Sequence, residues 1–123
     1  MKAMVVDDSR AIRMILTKTL SSLGYEVSQA ASGDEALTLL PASGGDLSLI
    51  LVDWNMPGIS GLEFVRRVRA NPALSSVTLV MVTTETEVEQ MATALAAGAN
   101  EYVMKPFTKE IIADKLRLLG LAA

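Results

Sequence analysis

The chain has no cysteine and no histidine in 123 residues. The first absence excludes disulfides, thiol nucleophiles and thiolate metal sites. The second excludes imidazole bases and imidazole metal ligands, so any site chemistry must run on carboxylates, hydroxyls, amides and ammonium groups. Aromatic residues make up only 4% of the chain, and Ala, Val, Ile, Leu and seven Met must fill the core. A basic surface is also lacking: 11 Lys and Arg stand against 14 Asp and Glu, a net charge of −3. That balance argues against nucleic acid as a partner. No apolar run reaches membrane-spanning length, and no basic stretch followed by an apolar one opens the chain. Membrane insertion is therefore not expected, and a cytoplasmic location is.

What is present is a hydrophobic half, enough to bury a core in one domain of common size. Strand and helix patterns alternate along the chain. Ala3 to Val6 is a short apolar run ending at Asp7-Asp8. Ser9 can cap a helix in which Ile12, Ile15, Leu16, Leu20 and Leu23 recur at helical spacing before Gly24. Glu26 to Ala30 reads as a more polar strand, suited to a sheet edge, and Gly33 to Leu40 as a helix stopped by Pro41. After a loop over 41–45, Leu47 to Val52 is apolar enough to be buried on both faces. Leu62, Val65 and Val68 mark a third helix, closed near Asn71-Pro72, and Thr78 to Val82 a fourth strand. Val88, Met91, Ala92 and Leu95 give a fourth helix ending at Gly98. Glu101 to Met104 is a fifth strand, and Ile111, Ile112, Lys115, Leu116 and Leu119 mark a fifth helix. Alternation of this kind predicts an α/β domain, a doubly wound five-stranded parallel sheet with helices on both faces.

Sites in such sheets lie beyond the carboxyl ends of the strands. The first strand ends at Asp7 and Asp8, the third at Asp53, the fourth at Thr83 and the fifth at Lys105. Singly, each has a bland explanation as a turn residue, cap or solvated charge. Jointly, the fold delivers three carboxylates, a hydroxyl and an ammonium to one edge. A pair of like charges at ~4 Å costs about 4 kcal/mol at an effective dielectric of ~20. A hard divalent cation offsets this, and oxygen-only ligands select Mg²⁺ or a similar ion. Mg²⁺ with one or two carboxylates also binds a phosphoryl oxygen, Lys105 can pair with a second and Thr83 can donate to a third. With no Cys or His nucleophile available, a carboxylate is the expected phosphoryl acceptor.

These residues sit in recognisable segments: Val-Asp7-Asp8-Ser, Val-Asp53-Trp54-Asn55-Met56-Pro57-Gly58, Gly61-Leu62-Glu63, Met-Val-Thr83-Thr84-Glu85, Ala97-Gly98-Ala99 and Tyr102-Val-Met-Lys105-Pro106-Phe107. In order and at this spacing, over essentially the whole chain, they resemble the receiver domain of bacterial two-component response regulators, in its CheY-like, single-domain form. The resemblance implies strand order 2-1-3-4-5, a flavodoxin-like (βα)5 fold. It implies one stand-alone receiver domain over residues 1–123 with no output domain. It matches Asp53 to the phosphoacceptor, and Asp8 and Asp53 to direct Mg²⁺ ligands. Asp7 matches the acidic partner of a metal-bound water, and Asn55 the residue whose backbone carbonyl ligates the metal. Thr83 and Lys105 match the phosphoryl-sensing pair, Tyr102 the switch aromatic, and Lys105-Pro106 a bond that is cis in the family. Asn55 and Glu85 fall where the family tunes self-catalysed dephosphorylation.

The implied function is a phosphoprotein of a two-component signalling system, in chemotaxis. It takes a phosphoryl group from a histidine kinase (CheA-like) and switches a protein-binding face built from the fourth helix, fifth strand and fifth helix. A flagellar motor switch protein is one expected target. A phosphorelay partner or a regulated kinase is the alternative; Glu85, Glu87 and Glu89 make the start of the fourth helix acidic where CheY is basic in part, a departure that bears on flagellar-switch binding. Those three also have a purely structural explanation in helix-dipole compensation. Tyr102 could equally be a half-buried strand residue, and Gly58 and Gly61 shape the turn after the third strand. Self-catalysed phosphoryl transfer aside, no enzyme is expected. A haloacid-dehalogenase-like phosphatase would carry its nucleophile and a second Asp two residues apart at the first strand, where this chain has adjacent Asp7-Asp8. A flavin or nucleotide domain would need a phosphate-binding loop where this chain has Asp7-Asp8-Ser9-Arg10.

Overall fold

The computed structural model describes residues 1–40, 47–84 and 88–121, with Val88 described by its backbone alone. The elements run β1 (Lys2–Val6), α1 (Arg10–Ser22), β2 (Glu26–Ala30), α2 (Gly33–Leu39), β3 (Leu47–Val52), α3 (Gly61–Arg69), a 3₁₀ turn (Pro72–Leu74), β4 (Thr78–Thr83), α4 (Val88–Ala97), β5 (Glu101–Met104) and α5 (Lys109–Leu118). All four strand pairings are parallel and the order is β2-β1-β3-β4-β5. The polar second strand lies at an edge, and the three apolar strands β1, β3 and β4 fill the centre.

Strand alternation divides the core in two. Met4, Val6, Ile50, Val52, Leu79 and Met81 point to one face, where they pack with Phe64, Val65 and Val68 of α3 and Ala94 of α4. Ala3, Val5, Leu49, Leu51, Val80 and Val82 point to the other, against Leu16 and Leu20 of α1 and Ile112 and Leu116 of α5. Each such Leu, Ile or Val contributes about 1.5–3 kcal/mol by leaving water. Four helices begin on a hydroxyl cap: Ser9, Ser32, Ser60 and Thr108 accept from the backbone N–H of Ile12, Glu35, Glu63 and Ile111.

The helical faces depart from the expected stripes in several places. In α3 the buried set is Gly61, Phe64, Val65 and Val68, with Leu62 only half-buried. A strict three-residue repeat drifts off a 3.6-residue helix, which is why Phe64 takes the place expected of Leu62. In α4 Ala94 is buried and Met91 half-buried, whereas Ala92 and Leu95 face solvent. Ile15 and Ile111 are likewise exposed, each one position off a buried residue, Leu16 and Ile112. The 3₁₀ turn has no apolar period to announce it; Asn71 caps it and Leu74 plugs the core. The loop expected over 41–45 and the residues Glu85 and Glu87 lie outside the described residues. No helix among the described residues is long and apolar enough to cross a membrane.

Candidate functional site

Parallel register explains how residues distant in sequence meet. Val6 of β1 pairs with Val52 of β3, so the residues that follow, Asp7 and Asp53, leave neighbouring strands side by side. The Asp53 N–H donates to the Val6 carbonyl at 2.9 Å, extending the ladder to the site's edge. On the other side Thr83 pairs with Met104, and the Lys105 N–H donates to the Thr83 carbonyl at 2.8 Å. Asp7, Asp53, Thr83 and Lys105 thus share the carboxyl edge of the sheet, and Asp8 stands beside Asp7.

Asp7, Asp53 and Thr83 are buried, while Asp8 is exposed. One carboxylate oxygen from each of Asp7, Asp8 and Asp53 lies within 4.8 Å of the others. The Lys105 ammonium donates to Asp7 Oδ2 at 3.1 Å and lies 3.5 Å from Asp53 Oδ2. The other Asp7 oxygen accepts from the Ser9 N–H at 2.8 Å. Burial pushes the Asp53 carboxyl above the ordinary carboxylate range. Lys105 pulls it down, the Asp7 charge pushes it up, and hydrogen bonds from the Asn55 backbone N–H and from Lys105 pull it down again. Three carboxylates and one ammonium leave two negative charges, the complement of one divalent cation. The donor set is all oxygen, which suits a hard ion such as Mg²⁺.

The loop after Asp53 is held by glycine. Gly58 has φ of +79°, a left-handed conformation that glycine adopts without strain. A Cβ on Gly61 would run into the Asp53 carbonyl oxygen and meet the Trp54 Cα at 2.9 Å. Instead the Gly61 N–H donates to the Trp54 carbonyl at 2.9 Å, so the start of α3 rests on the backbone that presents Asp53. Asn55 is exposed and Trp54 is half-buried against the core. The Lys105–Pro106 bond is cis. Tyr102 is buried within the core cluster on the α3 and α4 side of the sheet, 3% exposed, further in than a half-buried strand residue. Glu85 falls outside the described residues.

The order of the strands, the acidic edge and the opposed lysine define a class of protein, and comparison with known families agrees. The model of the response regulator receiver domain matches residues 3–117, and the chain belongs to that family, as a CheY-like member. Chemotaxis protein CheY1 of Helicobacter pylori is 43% identical over 120 residues, which are 97% of this chain and 96% of that protein. The chemotaxis protein CheY homolog of Campylobacter jejuni is 44% identical over 117 residues, 94% of this chain and 89% of that protein. Among solved structures, the chemotaxis response regulator CheY4 of Vibrio cholerae superposes with a TM-score of 0.87 at 38% identity, covering 96% of this chain and 97% of that one. The flavodoxin-like fold is thereby shown, and the protein is a receiver domain of two-component signalling.

One residue beside the site was not singled out from sequence. Arg13 of α1 reaches back to donate to the Asp7 backbone carbonyl at 2.7 Å. Its only sequence signal is its place, one turn beyond the Ser9 cap.

Proposed function

We propose that this receiver domain accepts a phosphoryl group on Asp53 from a phosphohistidine of a partner kinase, and that the modification switches a protein-binding face. The observation that carries the reading is the convergence of Asp7, Asp8 and Asp53 with Lys105 bridging Asp7 and Asp53. Asp7, Asp8, Asp53 and the backbone carbonyl of Asn55 would hold Mg²⁺. When bound, the ion supplies neutralisation of the carboxylates and of the charge on the transferring phosphoryl oxygens.

The chain's own residues do the rest. A carboxylate oxygen of Asp53 forms the new bond to phosphorus as the phosphorus–nitrogen bond to the kinase imidazole breaks. The imidazole keeps the electron pair of that bond and takes up a proton from solvent. Lys105 stands 3.5 Å from the Asp53 oxygen, where it would pair with a phosphoryl oxygen, and the Thr83 hydroxyl would donate to another. Hydrolysis by water reverses the state, with Asn55 and Glu85 setting access. Thr83 sits on β4 and Tyr102 on the adjacent β5, so a shift of Thr83 toward the phosphoryl group would alter the packing of Tyr102 and the face made by α4, β5 and α5. Phosphorylation then acts as a population shift between two forms of that face.

Relatives named as chemotaxis proteins support a place in chemotaxis, with a CheA-like histidine kinase as donor, a cytoplasmic setting and a separate protein as target. A flagellar motor switch protein is the first candidate target. Glu89 in the first turn of α4 keeps a phosphorelay partner or a regulated kinase as the second. Acetyl phosphate with Mg²⁺ tests the chemistry. Intact-mass measurement should show one phosphoryl per chain, absent after Asp53→Asn and absent with chelator; label that survives the substitution overturns the assignment. Beryllofluoride, which stands in for the phosphoryl group, tests the output: proteins captured only by the activated form identify the target.

A further inference from the structure

We propose that Arg13 is a positioning residue for the Mg²⁺ site, acting through the backbone carbonyl between Asp7 and Asp8. The inference rests on the reading of the acidic cluster as that site. Asp7 is tied down at every polar atom. Its N–H donates to the Ala30 carbonyl at 3.1 Å, its two carboxylate oxygens accept from the Ser9 N–H and Lys105, and its carbonyl accepts from Arg13. Asp8 is different. Its carboxylate is exposed and accepts no hydrogen bond among the described residues. What orients Asp8 is therefore the peptide that joins it to Asp7.

That peptide lies past the last ladder bond of β1, where the Val6 carbonyl is already taken by Asp53 N–H. The Asp7 carbonyl would be an orphan acceptor at the strand end. Arg13 NH1 fills it at 2.7 Å, while Arg13 Nε donates to Gln29 Oε1 on β2 at 3.3 Å. The planar guanidinium is thus held at two points, one on α1's own strand connection and one on the neighbouring strand, a fork that an ammonium cannot reproduce. Among the described residues Arg13 has no carboxylate partner, so it contributes to the site by geometry through a neutral carbonyl.

The sign of the effect separates this role from simple charge. A cation close to a metal site repels the metal, so removing it would tighten binding if charge were all that mattered. If Arg13 positions the Asp7–Asp8 peptide, removing it weakens binding, by about tenfold as for other groups that orient metal ligands. Trp54, the one tryptophan of the chain and the neighbour of Asp53, gives a fluorescence titration with Mg²⁺ alone. The expected order of dissociation constants is parent, then Gln29→Ala, then Arg13→Lys, then Arg13→Ala weakest. Circular dichroism without metal shows whether each variant is folded, and Gln29→Ala, which leaves α1 untouched, carries the test if Arg13→Ala unfolds. Undiminished or tighter binding in folded Arg13→Ala overturns this inference alone. A parent protein that gives no saturable Mg²⁺ response overturns the metal reading and this one with it.

Discussion

Replacing Lys105 by methionine removes the ammonium while keeping a chain of similar length. The ammonium lies 3.1 Å from Asp7 Oδ2 and 3.5 Å from Asp53 Oδ2, and its side chain is only 16% exposed. At an effective dielectric of about 20, each attraction is about 5 kcal/mol. Asp7 and Asp53 approach within 4.8 Å, a repulsion of at least about 3 kcal/mol on the same scale. In Lys105→Met the carboxylates relax by taking in water or a proton, so the expected net loss at neutral pH is about 3 kcal/mol. That corresponds to roughly 10 °C in Tm for a domain of this size. The loss must depend on pH. Burial and the Asp7 charge already push the Asp53 carboxyl upward, and Lys105, with the Asn55 backbone N–H, pulls it down. Without Lys105 the folded-state value rises further above the unfolded one. The variant therefore loses stability relative to the parent as pH rises from the parent's folded-state value, already raised, through the variant's higher one, and the two converge near pH 4, where both folded states hold the proton. Saturating Mg²⁺ should also narrow the gap. Thermal unfolding monitored by circular dichroism at pH 4 and pH 7, with and without Mg²⁺, decides the matter. An equal loss at both pH values, or none at pH 7, would refute the electrostatic argument.

Two further substitutions follow from the same geometry. Asp53→Asn should stabilise the metal-free protein at pH 7 on the order of 1 kcal/mol, about 4 °C in Tm. It should also flatten the fall in stability as pH rises through the raised Asp53 value; a lower Tm than the parent at pH 7 would speak against an unfavourable buried charge. Gly61→Ala places a methyl against the Asp53 carbonyl, with an expected loss of about 2 kcal/mol from overpacking and weaker Mg²⁺ binding by Trp54 fluorescence. Parent-like values in both assays would mean that α3 does not brace the loop.

The central strands were legible because β1, β3 and β4 are largely buried on both faces and so read as apolar runs rich in Val, Ile, Leu and Met, with Ser48 the one interruption, in β3. The site was legible for a related reason: each run stops at a polar residue, and parallel register brings those stops to one edge. Side-chain contacts between elements were not legible. A basic residue in the last turn of a helix, as Arg69 is in α3, ordinarily interacts with the carbonyls of that helix end. Arg69 instead donates to the Gly98 carbonyl at 2.8 Å and to Asn100 Oδ1 at 2.7 Å, and burial pulls its guanidinium down. Tyr25 stands just before β2, and its hydroxyl donates to the Leu121 carbonyl at 2.6 Å, far along the chain. Arg13 escaped notice in the same way, since its partners Asp7 and Gln29 lie on two different strands. Local spacing reports the faces of an element; it carries no record of which long polar side chain crosses to which carbonyl.

Identifying the atom that receives the phosphoryl group is the most direct test. Protein treated with acetyl phosphate and Mg²⁺, then reduced with borohydride, has any aspartyl phosphate converted to homoserine, which peptide mass spectrometry locates by residue. Homoserine at position 53 alone is the predicted result. Homoserine at position 7 or 8, or at no position in Mg²⁺-loaded protein, would contradict it.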